Sequence, residues 1–325
     1  MGNMADHSVL NMENSIRINK KKNSGFWRGI IRNKGIISLA IPGLLFVIVF
    51  YYLPMFGLVL AFKDLNFTKG IWGSDWVGFT NFKFFFTSDA ALQVTRNTLV
   101  LNFCFITITN IVAVTFALLL FELSRKAVKL YQTAIFFPYF LSWVTVSYVT
   151  YALLNPELGV INHLLELFGW EGISWYFESK YWPSILSLAF LWKNVGYSML
   201  IYYTGLLAID KTFYEAAAID GASKWQQIRS ISIPLLTPLI TLIVLLQIGR
   251  IFYSDFGLFY FLPADSGALY STTDVIDTYV FRALRVTGDT GMATAAGLYQ
   301  SVVGFLLVLT VNFIVRKINK ENAIF

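Results

Sequence analysis

Reactive side chains are scarce in this chain. Its 325 residues include two histidines, His7 and His163, far apart and without a companion ligand at metal-binding spacing, and one cysteine, Cys104. A single cysteine excludes an internal disulfide, and its place inside an apolar run makes it a small core residue. No Walker A sequence, HExxH pair or glycine-rich dinucleotide fingerprint occurs. No nucleophile, base and orienting group form a constellation. The chain therefore reads as no enzyme, with no catalytic residue, metal or cofactor of its own. Charge is scarce too: 14% of residues are charged, where soluble domains average about 25%. The net charge of +6 does not indicate nucleic acid, because the basic residues are scattered between apolar runs and form no single polar face.

What is abundant is apolar side chain, at 56% hydrophobic and 17% aromatic, gathered in runs too long for one soluble core. Six runs reach the ~20 residues that ~30 Å of hydrocarbon requires: 36–62, 95–121, 131–154, 183–207, 235–257 and 293–315. The expected fold is an all-α, polytopic membrane protein with six spans set among membrane lipid. Pro42, Gly43, Pro54 and Gly57 are expected to bend the first run. Pro138, Pro183 and Pro234 suit helix beginnings.

Lysine and arginine counts set the orientation. Residues 1–35 hold seven: Arg17, Lys20, Lys21, Lys22, Arg28, Arg32 and Lys34. The segments 122–130, 208–234 and 316–325 hold three each, whereas 155–182 is rich in glutamate. Both termini and 208–234 are therefore expected in the cytoplasm. Phe26, Trp27, Ile30 and Ile31 interleave with Arg28 and Arg32, so residues 1–35 form a basic tail, as an interfacial helix or a disordered segment. The outer segments 63–94 and 155–182 are aromatic, which reads as an interfacial belt, with a docking or sugar-facing surface as the sharper alternative.

The most patterned stretch is 215–238, EAAAIDGASKWQQIRSISIPLLTP. It predicts two short helices. Thr212 caps the first and Ser223 the second, over 224–230. Gly221 between them supplies either a positive-φ turn or a close backbone approach. Glu215, Ala216, Ala217, Asp220, Gly221, Ala222, Ser223, Ile231 and Pro234, with Pro234 thirteen residues after Gly221, resemble the EAA loop of binding-protein-dependent ABC importers. Ile233 stands where that pattern has leucine. The run 288–301 resembles the start of the last span in the sugar-transporting branch, and 191–206 resembles its fourth span. Over most of 36–315 the chain is similar to the polysaccharide and oligosaccharide permeases, a subgroup that includes the alginate importer's membrane subunits.

That resemblance implies a type I ABC importer permease in a bacterial cytoplasmic membrane: one chain pairs with a second homologous permease, two ATP-binding subunits below and a solute-binding protein outside. ATP and Mg2+ belong to the ATPase subunits, and an oligosaccharide is carried by alternating access. The domain organisation expected is a tail (1–35), a permease domain (36–315) with its coupling loop (208–234), and a short tail (316–325). Polar groups inside spans are functional candidates by default. Trp192, Lys193, Asn194 and Tyr197 in span four, with Gln247 and Arg250 in span five, are the candidate path residues. Two cations there suit an acidic saccharide; pairing between subunits is the structural alternative. The competing function is an ion-coupled secondary transporter, against which stands the absence of a mid-membrane acid.

Overall fold

The computed structural model describes residues 34–318. Of the tail predicted over 1–35 all but Lys34 and Gly35 lies outside the described residues, as do residues 319–325. Among the described residues the regular elements are helices, apart from one antiparallel pair of two-residue strands, β1 (Lys63–Asp64) and β2 (Asp75–Trp76), with Lys63 opposite Trp76. The chain divides into two compact units, 1–57 and 58–325. The described part of the first is a single apolar run. α1 (Lys34–Val47) continues through Pro42, opens into a π turn at Ile48–Tyr52 and tightens to 3-10 geometry over Leu53–Phe62. Leu53 N–H reaches back five residues to the Ile48 carbonyl, a looser turn just ahead of Pro54, which has no N–H to continue the ladder.

In the second unit, α2 (Thr80–Thr87) precedes α3 (Asp89–Phe121), a helix of 33 residues that starts six residues earlier than hydropathy predicts. Ser88 caps it by accepting the Ala91 N–H. α3 packs along α7 (Trp182–Leu207), the fourth of the predicted spans, where Ala113 and Ala117 meet Val195, Met199 and Tyr202. Small alanines let the two backbones approach closely.

Between them the predicted third span is not one helix. α4 (Arg125–Phe136), a 3-10 turn (Phe137–Phe140) and α5 (Trp143–Leu154) bend by 97°. Pro138 has no N–H to continue the first helix, Leu141 is extended, and Ser142 caps a new helix by accepting the Thr145 N–H at 3.1 Å. The twelve residues of α5 rise only about 18 Å, less than a bilayer core. α6 (Val160–Leu167) follows in the 155–182 segment, held by Asn162, whose amide bonds the Pro156 and Ile173 carbonyls.

After α7 come α8 (Lys211–Ile219) and α9 (Lys224–Gln227), a π turn (Ile228–Ser232), and α10 (Ile233–Ile248). Helix is continuous from Lys224 to Ile248, so the fifth helix begins within the 208–234 segment and not at Pro234. The π turn explains this: Ile233 N–H bonds the Ile228 carbonyl, and the widened turn makes room for Pro234. The span also ends nine residues early, at Ile248. α11 (Phe256–Phe261) and α12 (Ile276–Arg282) then fold back over the start of α3. There Gln93 and Asn97 bond the Tyr270, Ser271 and Asp274 carbonyls, and Thr98 accepts the Ile276 N–H. α13 (Thr290–Ile318) is the last span. Among the described residues five helices are long and apolar enough to cross a membrane, or six if the bent α4–α5 pair is counted as one span.

Candidate functional site

Two regions collect the candidate residues. The first is the turn between α8 and α9. Asp210, and not Thr212, caps α8: its carboxylate accepts the Thr212 N–H at 3.0 Å, and that bond holds the Asp210 carboxyl below its ordinary value. At the other end Gly221 has φ +80°. Gly221 N–H bonds the Ala218 carbonyl at 3.1 Å and Ala222 N–H bonds the Ala217 carbonyl at 2.9 Å, the paired bonds of a Schellman motif. A Cβ on Gly221 would meet nothing within 4 Å, so the positive φ, and not a close approach, requires the glycine. Ser223 then opens α9 with a capping box: Gln226 N–H to Ser223 Oγ at 3.4 Å and Ser223 N–H to Gln226 Oε1 at 2.7 Å.

This turn is tied to the spans behind it. Tyr214 Oη lies 3.0 Å from Ser232 Oγ, the Phe121 and Tyr214 ring centroids are 5.5 Å apart, and Lys224 pairs with Glu122 at 2.8 Å. Facing away from the protein, Phe213, Glu215, Ala216, Ile219 and Asp220 are exposed, Ile219 at 87%. Ala217, Ala222 and Ile231 are half-buried and Pro234 is exposed. The result is a stiff platform with an unpartnered apolar and acidic face.

The second region is a cavity of about 630 Å³ between α3, α7 and the end of α10, a volume in the range of ligand pockets. Asn194, Tyr197, Gln247 and Arg250 line it, joined by Asn102 and Thr109 of α3 and by Ser254 and Asp255. Arg250 makes no ion pair among the described residues. Asp255 is occupied elsewhere, accepting the Trp143 indole N–H at 2.6 Å and capping α11 through Gly257 N–H. The cavity thus presents one guanidinium with no ion pair, set among neutral polar groups and the Asp255 carboxylate. Asn102 is a lining residue that hydropathy gave no reason to pick; its amide bonds the Ile251 carbonyl and Ser254 Oγ. The signal available was an asparagine on a membrane helix.

Lys193 and Trp192 do not line this cavity. Lys193 is buried at 9% exposure, and its ammonium donates to the Tyr139 carbonyl at 2.7 Å while lying over the Tyr139 and Trp143 rings. It satisfies a carbonyl in the bend after Pro138. Gly196 and Tyr197, three and four residues on, share that face of α7. A Cβ on Gly196 would lie 2.3 Å from the Ile135 carbonyl oxygen, and the Tyr197 ring stacks on Tyr139 at 5.0 Å. This face of α7 therefore clamps the α4–α5 bend, which explains Lys193 without cargo.

A third polar cluster lies outside the spans. Arg282 pairs with Asp265 at 2.9 Å and Asp274 at 2.5 Å and sits over the Tyr270 ring. Asp274 accepts from Thr278 at 2.6 Å. Burial raises the Asp274 carboxyl above its ordinary value, against the opposing pull of Thr278 and Arg282. Ala264 and Asp265 both have positive φ, a strained pair that Asp265's bonds to Arg282 and Tyr270 hold in place. Replacing Arg282 with methionine leaves Asp274 buried and unpaired, and should lower stability by about 3–5 kcal/mol, read as a drop in the thermal unfolding midpoint of the purified complex.

Comparison with known proteins agrees with this architecture. No family model matches the chain. Protein LplB of Bacillus subtilis (strain 168) is 34% identical over 292 residues, 89% of this chain and 91% of that protein. The polygalacturonan/rhamnogalacturonan transport system permease protein YteP of the same strain is 32% identical over 303 residues, 93% of this chain and 94% of its own length. Among solved structures, a bacterial ABC transporter involved in import of the acidic polysaccharide alginate superimposes with a TM-score of 0.83 at 29% identity, covering 90% of this chain and 99% of the other. None of these relatives supports the ion-coupled alternative.

Proposed function

This chain belongs to the membrane permease subunits of sugar ABC transporters, and on that premise we propose that it carries an acidic oligosaccharide inward across a bacterial cytoplasmic membrane. It would do so paired with a second permease subunit, above two ATPase subunits and beneath a loaded solute-binding protein. ATP and Mg2+ act in the ATPase subunits. Both termini and the α8–α9 turn face the cytoplasm, a reading supported by the lysine and arginine distribution.

One observation carries the proposal: the capped α8–α9 turn is continuous, through a single helix from Lys224 to Ile248, with the end of the span that brings Gln247 and Arg250 to the cavity. Glu215, Ala216, Ala217, Asp220, Gly221, Ala222, Ser223, Ile231 and Pro234 form or support the surface that the ATPase grips. ATP binding changes the separation of the ATPase subunits, and the turn passes that displacement to the spans. A partner shifts a two-state equilibrium only by its differential affinity for the states, so the element it grips must not yield. The two caps and the Tyr214–Ser232 and Lys224–Glu122 bonds provide that stiffness. In the cavity, Arg250 is the charge that meets an acidic sugar.

The test is ATP hydrolysis by the reconstituted four-component complex, supplied with binding protein loaded with a panel of neutral and uronate oligosaccharides. Uronate cargo should stimulate hydrolysis and neutral cargo should not. Arg250→Ala should raise the apparent KM for uronate uptake about tenfold, the loss of one charge-assisted hydrogen bond. Purification that never yields an ATPase subunit with this chain, or equal stimulation by neutral cargo, defeats the reading.

A further inference from the structure

Gln247 lines the cavity, but its orientation is decided outside it. Asn110, on α3, is buried at 6% exposure and is not part of the cavity wall. Its Nδ2 lies 2.6 Å from the Ile106 carbonyl oxygen and 2.6 Å from Gln247 Oε1, and Tyr202 donates its hydroxyl to Asn110 Oδ1. A backbone carbonyl can only accept. The Asn110 atom facing Ile106 must therefore be the NH2 group. That NH2 also faces Gln247, so the Gln247 atom it meets must be the carbonyl oxygen. The polarity of the whole chain is set by one main-chain oxygen, and Gln247 is left with its NH2 as the free end. Gln247 Nε2 has no acceptor among the described residues, and neither does the Arg250 guanidinium.

Resting on the transport reading above, we propose that Asn110 is a positioning residue that holds the Gln247 amide with its donor end toward the cargo, so that Gln247 and Arg250 offer the cavity donors only. The consequence is selective. A carboxylate is acceptor-only and is served by donors alone; turning the amide over would set oxygen against oxygen. A sugar hydroxyl donates or accepts by rotating, so it tolerates either end of the amide. Asn110 thus sharpens discrimination for carboxylate-bearing sugar over its alcohol counterpart, without touching either.

The probes are a uronate trisaccharide and its carboxyl-reduced counterpart, taken up by the full complex reconstituted in liposomes with ATP inside. Asn110→Thr is the key variant. Threonine on these helices bonds the carbonyl four residues back, as Thr98, Thr115 and Thr150 do, but cannot reach Gln247. Asn110→Ser is the second variant should threonine prevent assembly. The ratio of kcat/KM for the uronate to that for the reduced sugar should fall about tenfold, through KM for the uronate, with the reduced sugar's kcat unchanged; a tenfold loss matches one hydrogen bond to a charged group. Tyr202→Phe keeps the Ile106 bond and the polarity, and should leave the ratio at the wild-type value. Overturning results are an unchanged ratio in both Asn110 variants, or a Tyr202→Phe variant that loses as much selectivity as they do; either makes the cluster only a tie between helices. A wild-type complex that hydrolyses ATP on cargo but does not prefer the uronate removes the acidic-cargo reading and this inference with it, whereas the two overturning results just named, in a complex that does prefer the uronate, remove this inference alone. A wild-type complex that responds to no saccharide removes the transport reading and this inference with it.

Discussion

Gly221→Pro will abolish uptake while the spans stay inserted and the ATPase subunits keep their basal hydrolysis. Three effects combine. Proline holds φ near −65°, whereas this residue sits at φ +80°. The substitution removes the N–H that bonds the Ala218 carbonyl, and by redirecting the chain it breaks the Ala222–Ala217 bond. With α8 no longer fixed to the capping box of α9, its exposed face can move without moving the helix that follows. Interior proline costs about 3 kcal/mol or more, which suffices to melt a turn of this size. Uptake should fall at least a hundredfold and cargo should cease to stimulate hydrolysis. Gly221→Asn is the informative partner: asparagine tolerates left-handed backbone, and its Cβ meets nothing within 4 Å. Near-normal transport is expected from it. Glu215→Lys should resemble the proline variant by reversing a charge on the exposed face. Full transport with both Gly221→Pro and Glu215→Lys would reduce this turn to a connector.

The second large effect is expected at Gly196. Here the obstacle is not conformational. An added Cβ would lie 2.3 Å from Ile135 O and 2.6 Å from Phe136 Cα, and main chain cannot rotate out of the way as a side chain can. Alanine already forces α7 and α4 apart, with overpacking of about 1–3 kcal/mol; valine or leucine should prevent a stable complex from accumulating. Gly205 provides the contrast. Its Cβ would meet the ends of the Leu239 and Leu236 side chains, which can turn away, so Gly205→Ala should be milder. Lys193→Met should fall between them, leaving the Tyr139 carbonyl unsatisfied at about 1–3 kcal/mol. Thermal unfolding and the size-exclusion profile of the detergent-purified complex order the three variants. Equal behaviour of Gly196→Ala and Gly205→Ala would mean that backbone approach is not what holds the bend.

Much of this was legible in residue order. Hydropathy alone separates the apolar runs, and the spacing of Gly221, Ser223 and Pro234 gives the two-helix turn because caps and positive-φ glycine act locally. What escaped is non-local. Lys193 reads as a path cation from its own helix, and only the approach of Tyr139, 54 residues away in sequence, reassigns it to the bend. The break after Pro138 was read as a helix beginning, because an apolar run does not disclose where its axis turns. Asp210 took the cap from Thr212, two neighbours that propensity barely separates. The Arg282 cluster joins residues spread over a segment with no membrane-scale hydropathy signal. Of the six path candidates, four meet at one cavity, and Asn110, which sets the polarity of one of them, is visible only through its partners.

The continuous helix from Lys224 to Ile248 has a mechanical consequence. Its 25 residues make a lever about 37 Å long, gripped at the capped end in the proposed coupling and carrying cavity groups at the other. Turned through 10° about its capped end, it sweeps its far end about 6 Å for that length, close to one sugar ring of travel. The π turn beside Pro234 lies near the grip, where a small change of angle is magnified most; stiffening it should shorten the stroke and leave the grip intact.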